Sequence, residues 1–118
     1  MALRSRKRIR PRNPERRASE WARAFGSRVR VLFVAALPCR VPICRTEQRS
    51  ENAHATTGGT SRKADADKIL PLCRRHHREL HGIGRRTFEA RHGIDLLACA
   101  EWTEWKWRQA GDFPDLEY

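Results

Sequence analysis

Two pairs of potential metal ligands, separated by a long polar segment, constrain the fold of this chain more than any other feature. Cys39 and Cys44 flank a tight turn, and Cys73 and His76 follow after 28 intervening residues. Zinc takes four such ligands in a tetrahedron, and two short turns can each supply two of them without backbone strain. We therefore expect a zinc ion to join the two ends of the segment. The alternative is that the cysteines are small buried hydrophobic residues.

The stretch "PLCRRHHRELHGIG" holds a further histidine pair, His77 and His81. Along a helix a four-residue step turns by about 400°, so these two rings should lie about 40° apart on one face. His76 should lie about 140° from His81 by the same geometry. One ion cannot easily bind all three rings, so we predict that His76 serves a structural centre while the pair serves a reactive one. The alternative is a solvated polar face, which is the commoner origin of such a pair.

His54 is the candidate general base. It lies in the polar segment on a predicted short strand, with Gly58 and Gly59 close behind it. Imidazole titrates near neutral pH, so beside a metal ion it can take a proton from water while the ion stabilises charge on a phosphate. The two glycines would let a nucleic-acid backbone approach closely.

The charge of the chain is concentrated at one end. The 118 residues, a single-domain length, carry a net charge of +11, and residues 1–30 hold eleven Arg or Lys against two Glu. A basic arm on a nearly neutral body suits phosphate binding, because neutralised phosphates release counterions. The alternatives are a solvated tail, a patch for ribosomal RNA or anionic lipid, or a transit peptide, although Pro11 and Pro14 interrupt the helix that a transit peptide needs. No segment predicts secretion or membrane spanning, so we expect a cytoplasmic protein without a membrane partner.

Helix caps and breakers predict an α+β order of helices, two short strands, a metal-rich helix and further helices. We expect a disordered basic arm over residues 1–13, one domain over 14–111 and a tail over 112–118. The first two helices are predicted from Pro14 to Gly26 and from Ser27 to before Pro38, the second also being compatible with a strand. The strands are predicted near Ala53 and His54 and over Lys68–Leu70, closed by Pro71. The last three helices are predicted to end near Gly82 or Gly84, at Gly93, and at Gly111 after an Asp95 cap.

The final helix carries apolar residues at spacings that suit burial rather than base stacking. We predict that they pack in the core or at its edge. They are Leu97, Cys99, Trp102, Trp105 and Trp107.

Several of these stretches together resemble the HNH, or ββα-metal, nucleases, and most closely the phage recombination-enhancement (Ref-like) type. The matching pieces are "GSRVRVLFVAALPCRVPIC", "NAH" and "LPLCRRHHRELHGIGRRTFEARHGIDL", and the likeness covers about residues 14–110. The piece "HRELHG" is also similar to the final helix of the nuclease colicins. The resemblance implies a small ββα-metal core with a structural zinc, flanked by N- and C-terminal helices.

The resemblance also implies a role for each matching residue. His54 would polarise the attacking water, and His77 and His81 would hold a catalytic Mg²⁺ or Mn²⁺ ion. The residue that orients the family's loop, often Asn, has Asp67 and Lys68 as its nearest candidates, and we select Asp67. Ala53 departs from the family, since many relatives have a metal ligand there. The structural zinc ligands would be Cys39, Cys44, Cys73 and His76.

The function that follows is a metal-dependent DNA endonuclease of low sequence specificity. The resemblance places it in DNA recombination or processing of a phage or prophage, in a bacterial or phage-infected cell, with a recombinase–DNA filament as a candidate partner and no small-molecule substrate. Two other readings are a zinc-stapled DNA-binding module without cleavage and a basic, RNA-associated structural protein. Backbone contacts would come from Arg4, Arg6, Lys7, Arg8, Arg10, Arg12 and Lys63.

Overall fold

The computed structural model describes residues 13–56 and 65–111, which form a small α+β fold. Two helices precede a two-stranded antiparallel sheet, and three helices follow it, with a 3-10 turn (Ala66–Lys68) just before the second strand. Residues 1–12 of the predicted arm, the predicted tail, the two glycines of the polar segment and all seven predicted backbone-contact residues lie outside the described residues. Asn13, predicted as the end of the arm, is instead the N-cap residue of the first helix. Among the described helices, none combines the length and the apolar character needed to cross a membrane.

The sheet pairs β1 (Glu51–His54) with β2 (Ile69–Leu72), and His54 lies opposite Ile69. The prediction that Pro71 closes the second strand is wrong, because Pro71 lies inside β2 opposite Asn52. Proline is tolerated there because β2 has one unpaired edge, where the missing N–H costs no ladder bond. The Pro71 carbonyl still accepts a bond from the Arg40 N–H at 3.0 Å.

The first two helices, α1 (Pro14–Phe25) and α2 (Arg28–Ala36), meet at a corner formed by Gly26 and Ser27. Gly26 has φ +85°, and a Cβ atom there would lie 2.7 Å from Arg30 Cδ, so the corner requires glycine. The Ser27 hydroxyl oxygen accepts a bond from the Arg30 N–H at 3.1 Å and caps α2. The prediction of a helix after Ser27, for which a strand was the alternative, is confirmed.

Three helices follow the sheet: α3 (Arg74–Ile83), α4 (Arg85–His92) and α5 (Leu96–Gln109). Gly84 and Gly93, both with positive φ, end α3 and α4, while the Asp95 carboxylate accepts from the Ala98 N–H at 3.1 Å and caps α5. These boundaries agree with the predicted ones, because glycine and the cap residue act locally and do not depend on distant packing.

The core lies between the sheet and the helices that follow it. It contains Val41, Ala53, Leu70, Leu72, Leu80, Phe88, Leu96, Cys99 and Ala100. Cys99 and Leu97 pack in or against this core as predicted. Trp102 is partly buried under the Arg40 guanidinium, which lies 3.9 Å from the ring centroid. Trp105 does not pack as predicted, because its side chain is 55% exposed.

Candidate functional site

The first site is a cluster of three thiols and one imidazole. Cys39 and Cys44 lie on the turn after α2, Cys73 caps α3, and His76 lies in the first turn of α3. Their ligand atoms all lie within 4.8 Å of one another, so the structure brings together the four predicted zinc ligands. The Cys44 and Cys73 sulfurs are 3.9 Å apart, and the Cys39 sulfur is 3.5 Å from His76 Nδ1. Tetrahedral zinc would require about 3.8 Å and about 3.5 Å for such pairs, so the cluster fits a zinc ion.

Burial shifts the pKa values of two donors in this cluster. Burial raises the pKa of the Cys39 thiol to about 12 and lowers the pKa of His76. His76 is therefore a neutral imidazole with a lone pair to donate. Cys39 would stay protonated without a cation beside it, whereas a coordinating thiol is deprotonated by its metal. The chemistry of the donors therefore agrees with their spacing.

The second site is built on the opposite side of α3. The His77 and His81 Nε2 atoms are 3.1 Å apart, while His76 is buried in the first site. Two nitrogens bound to one ion at about 2.1 Å lie roughly 3.0 Å apart when their bonds meet at a right angle. The adjacent rings of His76 and His77 thus lie in different clusters. The distance between the His77 and His81 nitrogens is that of a hydrogen bond, and it also equals the spacing of two ligands to one ion.

Glu51 is a member of this second site that the sequence analysis missed. Its Oε1 atom accepts a hydrogen bond from His77 Nδ1 at 2.9 Å. That bond places the ring proton on Nδ1 and leaves the Nε2 lone pair directed toward His81. The prediction had the strand histidine facing the helix pair, but the β1 side chain that hydrogen-bonds to the pair is Glu51.

In the described part of the chain, His54 hydrogen-bonds to α1 and not to the histidine pair on α3. Its Nε2–H donates to the Ala24 carbonyl at 2.7 Å, and its ring lies against the Phe25 ring with centroids 5.1 Å apart. A neutral imidazole that donates from Nε2 has its lone pair on Nδ1. His54 and His81 both line one cavity of about 120 Å³, together with Ala55, Leu80 and Arg85. The candidate base and one of the two candidate ion ligands, His81, therefore border the same small space, while His77 does not line it.

The remaining predicted residues lie elsewhere. Asp67 and Lys68 are exposed in the 3-10 turn. The Lys68 carbonyl accepts from the Ala55 N–H at 2.8 Å, which extends the sheet by one bond beyond His54. Ala53, where the sequence analysis found no metal ligand, is fully buried in the core.

Comparison with known proteins yields one family. A family model described as "Protein of unknown function (DUF968)" matches residues 23–107. No curated protein and no solved structure matches the chain. The matched range spans 85 of the 118 residues and contains both candidate sites together with the Ala24 carbonyl that holds His54.

Proposed function

The chain belongs to the DUF968 family, and from its two sites we propose that it is a metal-dependent DNA endonuclease of the HNH type, with a zinc-stapled ββα core. The observation that carries the proposal is the convergence of His54 and His81 on one cavity, with the His77 Nε2 atom 3.1 Å from His81. A base, a pair of ion ligands and a space between them are the parts that phosphodiester hydrolysis needs.

His54 is the general base in this proposal. The Ala24 carbonyl binds Nε2–H at 2.7 Å, which fixes the ring and its tautomer. The proton of the attacking water would then pass to Nδ1, and the hydrogen bond at Nε2 would stabilise the imidazolium that results. This arrangement uses a backbone acceptor where other enzymes use a carboxylate to orient the base.

His77 and His81 would hold the catalytic divalent ion, with Glu51 orienting His77. The ion would stabilise the negative charge that develops on the phosphate. Because Mg²⁺ is a small hard ion that takes oxygen ligands, two imidazole nitrogens favour the softer transition ion Mn²⁺ over Mg²⁺. The buried Ala53 adds no third ligand, so we expect the ion to bind firmly only with DNA phosphate present.

The substrate in this proposal is DNA, bound with little sequence preference. Support comes from the net charge of +11, since arginine and lysine contacts to backbone phosphates add affinity without reading sequence. The resemblance to the Ref-like nucleases suggests phage or prophage recombination or processing as the setting, and a recombinase–DNA filament as a partner.

A plasmid assay tests the proposal. We expect the wild-type protein to convert supercoiled plasmid to the nicked form in Mn²⁺, and to need a higher concentration of Mg²⁺ for the same rate. His81→Ala removes one of two ligand nitrogens and should lower the nicking rate by about 100-fold. The rate is measured from gel band intensities across a divalent metal series.

The zinc content of the same proteins serves as the control. His81→Ala should retain one zinc per chain and the wild-type unfolding temperature, because His81 is exposed and lies outside the cysteine cluster. Absence of wild-type nicking in every metal would overturn the proposed function. Loss of zinc from His81→Ala would instead disprove the separation of the two sites.

Glu51→Gln tests the orienting role of the carboxylate. The amide can still reach His77 Nδ1 but accepts the bond more weakly, so we expect a 10- to 100-fold loss of metal affinity or activity, as is typical for partners of metal-binding histidines. The readout is the Mn²⁺ concentration at half-maximal nicking. Glu47→Gln, an exposed position in the loop before β1, is the matched control. Equal Mn²⁺ dependence in the two variants would remove Glu51 from the site.

A zinc-stapled DNA-binding module without cleavage is the second candidate. It is favoured by the full set of four ligands in the cysteine cluster and by the core position of Ala53. Such a protein would bind one zinc and duplex DNA, would nick nothing, and would bind DNA equally well after His54→Ala or His81→Ala.

A further inference from the structure

We infer that Arg85 binds a phosphate group of the DNA backbone in the cavity between His54 and His81. The inference rests on the proposed function and adds to it a substrate-binding residue from the folded domain. Of the five residues that line this cavity, two are histidines, two are apolar, and Arg85 alone carries a permanent charge. Arg85 also lines a neighbouring surface cavity with Arg86 and Glu89. A phosphodiester that entered the cavity between His54 and His81 would therefore find in Arg85 its one permanently charged lining residue.

The fold holds Arg85 in place. It is the first residue of α4, directly after Gly84, whose φ of +83° turns the chain away from α3. The fully buried Phe88 anchors α4 in the core. Glu79 on α3 also contacts both His92 and Arg91 at the far end of α4, the latter at 3.7 Å. Arg85 and the histidine pair thus lie on two helices that are linked by Gly84 and by the contacts of Glu79 with the last turn of α4.

A neighbouring carboxylate orients the guanidinium. Glu89 Oε1 lies 3.4 Å from Arg85 Nε, while Glu89 Oε2 accepts from the Leu96 N–H at 2.9 Å. Because Glu89 approaches the Nε side, the two terminal nitrogens stay available, and they make no hydrogen bond within the described part of the chain. The side chain is 43% exposed. A planar pair of N–H donors is the group that binds phosphate oxygens in a bidentate manner.

Arg86 provides a matched control one residue away. It is also exposed and lies on the first turn of α4, but it does not line the cavity with His54 and His81. The two variants Arg85→Ala and Arg86→Ala therefore remove the same charge from the same helix turn. They differ in whether the lost side chain faces the cavity.

Nicking rates give the first test. We expect Arg85→Ala to lower kcat by about 100-fold, because a donor aimed at the phosphate strengthens as charge develops there, and Arg86→Ala to stay within about three-fold of wild type. Arg85→Lys should recover only part of the loss, since lysine offers no bidentate fork. If the wild-type protein nicks, equal rates for the Arg85→Ala and Arg86→Ala variants would overturn the inference.

Binding to a 20-base-pair duplex, followed by fluorescence anisotropy without added divalent ions, decides the case even if the wild-type protein does not nick. Loss of one phosphate contact should reduce the slope of log Kobs against log salt concentration by about 0.9. We expect this reduction for Arg85→Ala and not for Arg86→Ala. An unchanged slope for Arg85→Ala would overturn the inference, whereas absent nicking with a reduced slope would reject the nuclease proposal and retain the phosphate contact.

Discussion

Replacing His54 with alanine should reduce plasmid nicking by about 100- to 10,000-fold, the usual contribution of a positioned general base. The Ala24 carbonyl fixes Nε2, so Nδ1 is the nitrogen that can accept the proton of water. No other side chain that lines the cavity is positioned to replace His54 as a base. Two of them are apolar, one is an arginine, and one is a histidine assigned to the ion. Initial rates in saturating Mn²⁺ measure the effect.

Chemical rescue separates this catalytic role from a packing role. His54 also lies against Phe25, so the substitution removes a packing contact with α1 as well as the proposed base. Added imidazole should restore part of the rate only if a proton acceptor is missing. The zinc content should be that of the wild type. A His54→Ala protein that nicks at the wild-type rate would refute the base assignment, and a slow one that imidazole fails to rescue would reassign His54 to structure.

The second large effect is expected at the cysteine cluster. Cys73→Ala should release the zinc and abolish cooperative thermal unfolding, since structural zinc in small domains contributes about 10–16 kcal/mol of apparent binding free energy at neutral pH. Cys73 lies between β2 and α3. Loss of the zinc would therefore remove the link that holds α3, the helix that carries His76, His77 and His81. Metal analysis of the purified protein and calorimetry measure the two consequences.

Cys99 offers the matched control for this substitution. It is a buried cysteine on α5, in the hydrophobic core rather than in the cluster. Cys99→Ala should cost about 1 kcal/mol, as ordinary core substitutions do, and should keep one zinc per chain. A native wild-type protein without zinc, or equal behaviour of the two cysteine variants, would contradict the assignment of the cluster.

Much of the fold could be predicted because its signals are local. Ser27 caps α2 with its own hydroxyl, and Gly84 ends α3 through its own φ, so neither depends on distant residues. Pro71 misled the prediction because a single residue does not reveal which edge of a strand is unpaired. The prediction that Trp105 packs in or against the core failed for another reason. Helical spacing identifies an apolar face of a helix but not whether another element covers that face.

The candidate site could be predicted only in part, for a related reason. Helix geometry alone predicts that His76 and His77 point in directions about 100° apart, and the structure places them in different clusters. Glu51 contacts a histidine 26 residues away, and the acceptor for His54 is a carbonyl 30 residues away. Long-range contacts of this kind, and a backbone group that any residue supplies, leave no pattern in a single sequence.

The contact between His54 and α1 has a consequence for how this helix can vary. Because the acceptor is the main-chain oxygen of residue 24, the hydrogen bond that orients the proposed base depends on the path of the helix and not on the side chain at that position. Substitutions at position 24 that are compatible with a helix should therefore preserve this hydrogen bond. Shortening α1 by its last turn would remove the acceptor altogether, even though α1 contributes no fully buried side chain to the domain.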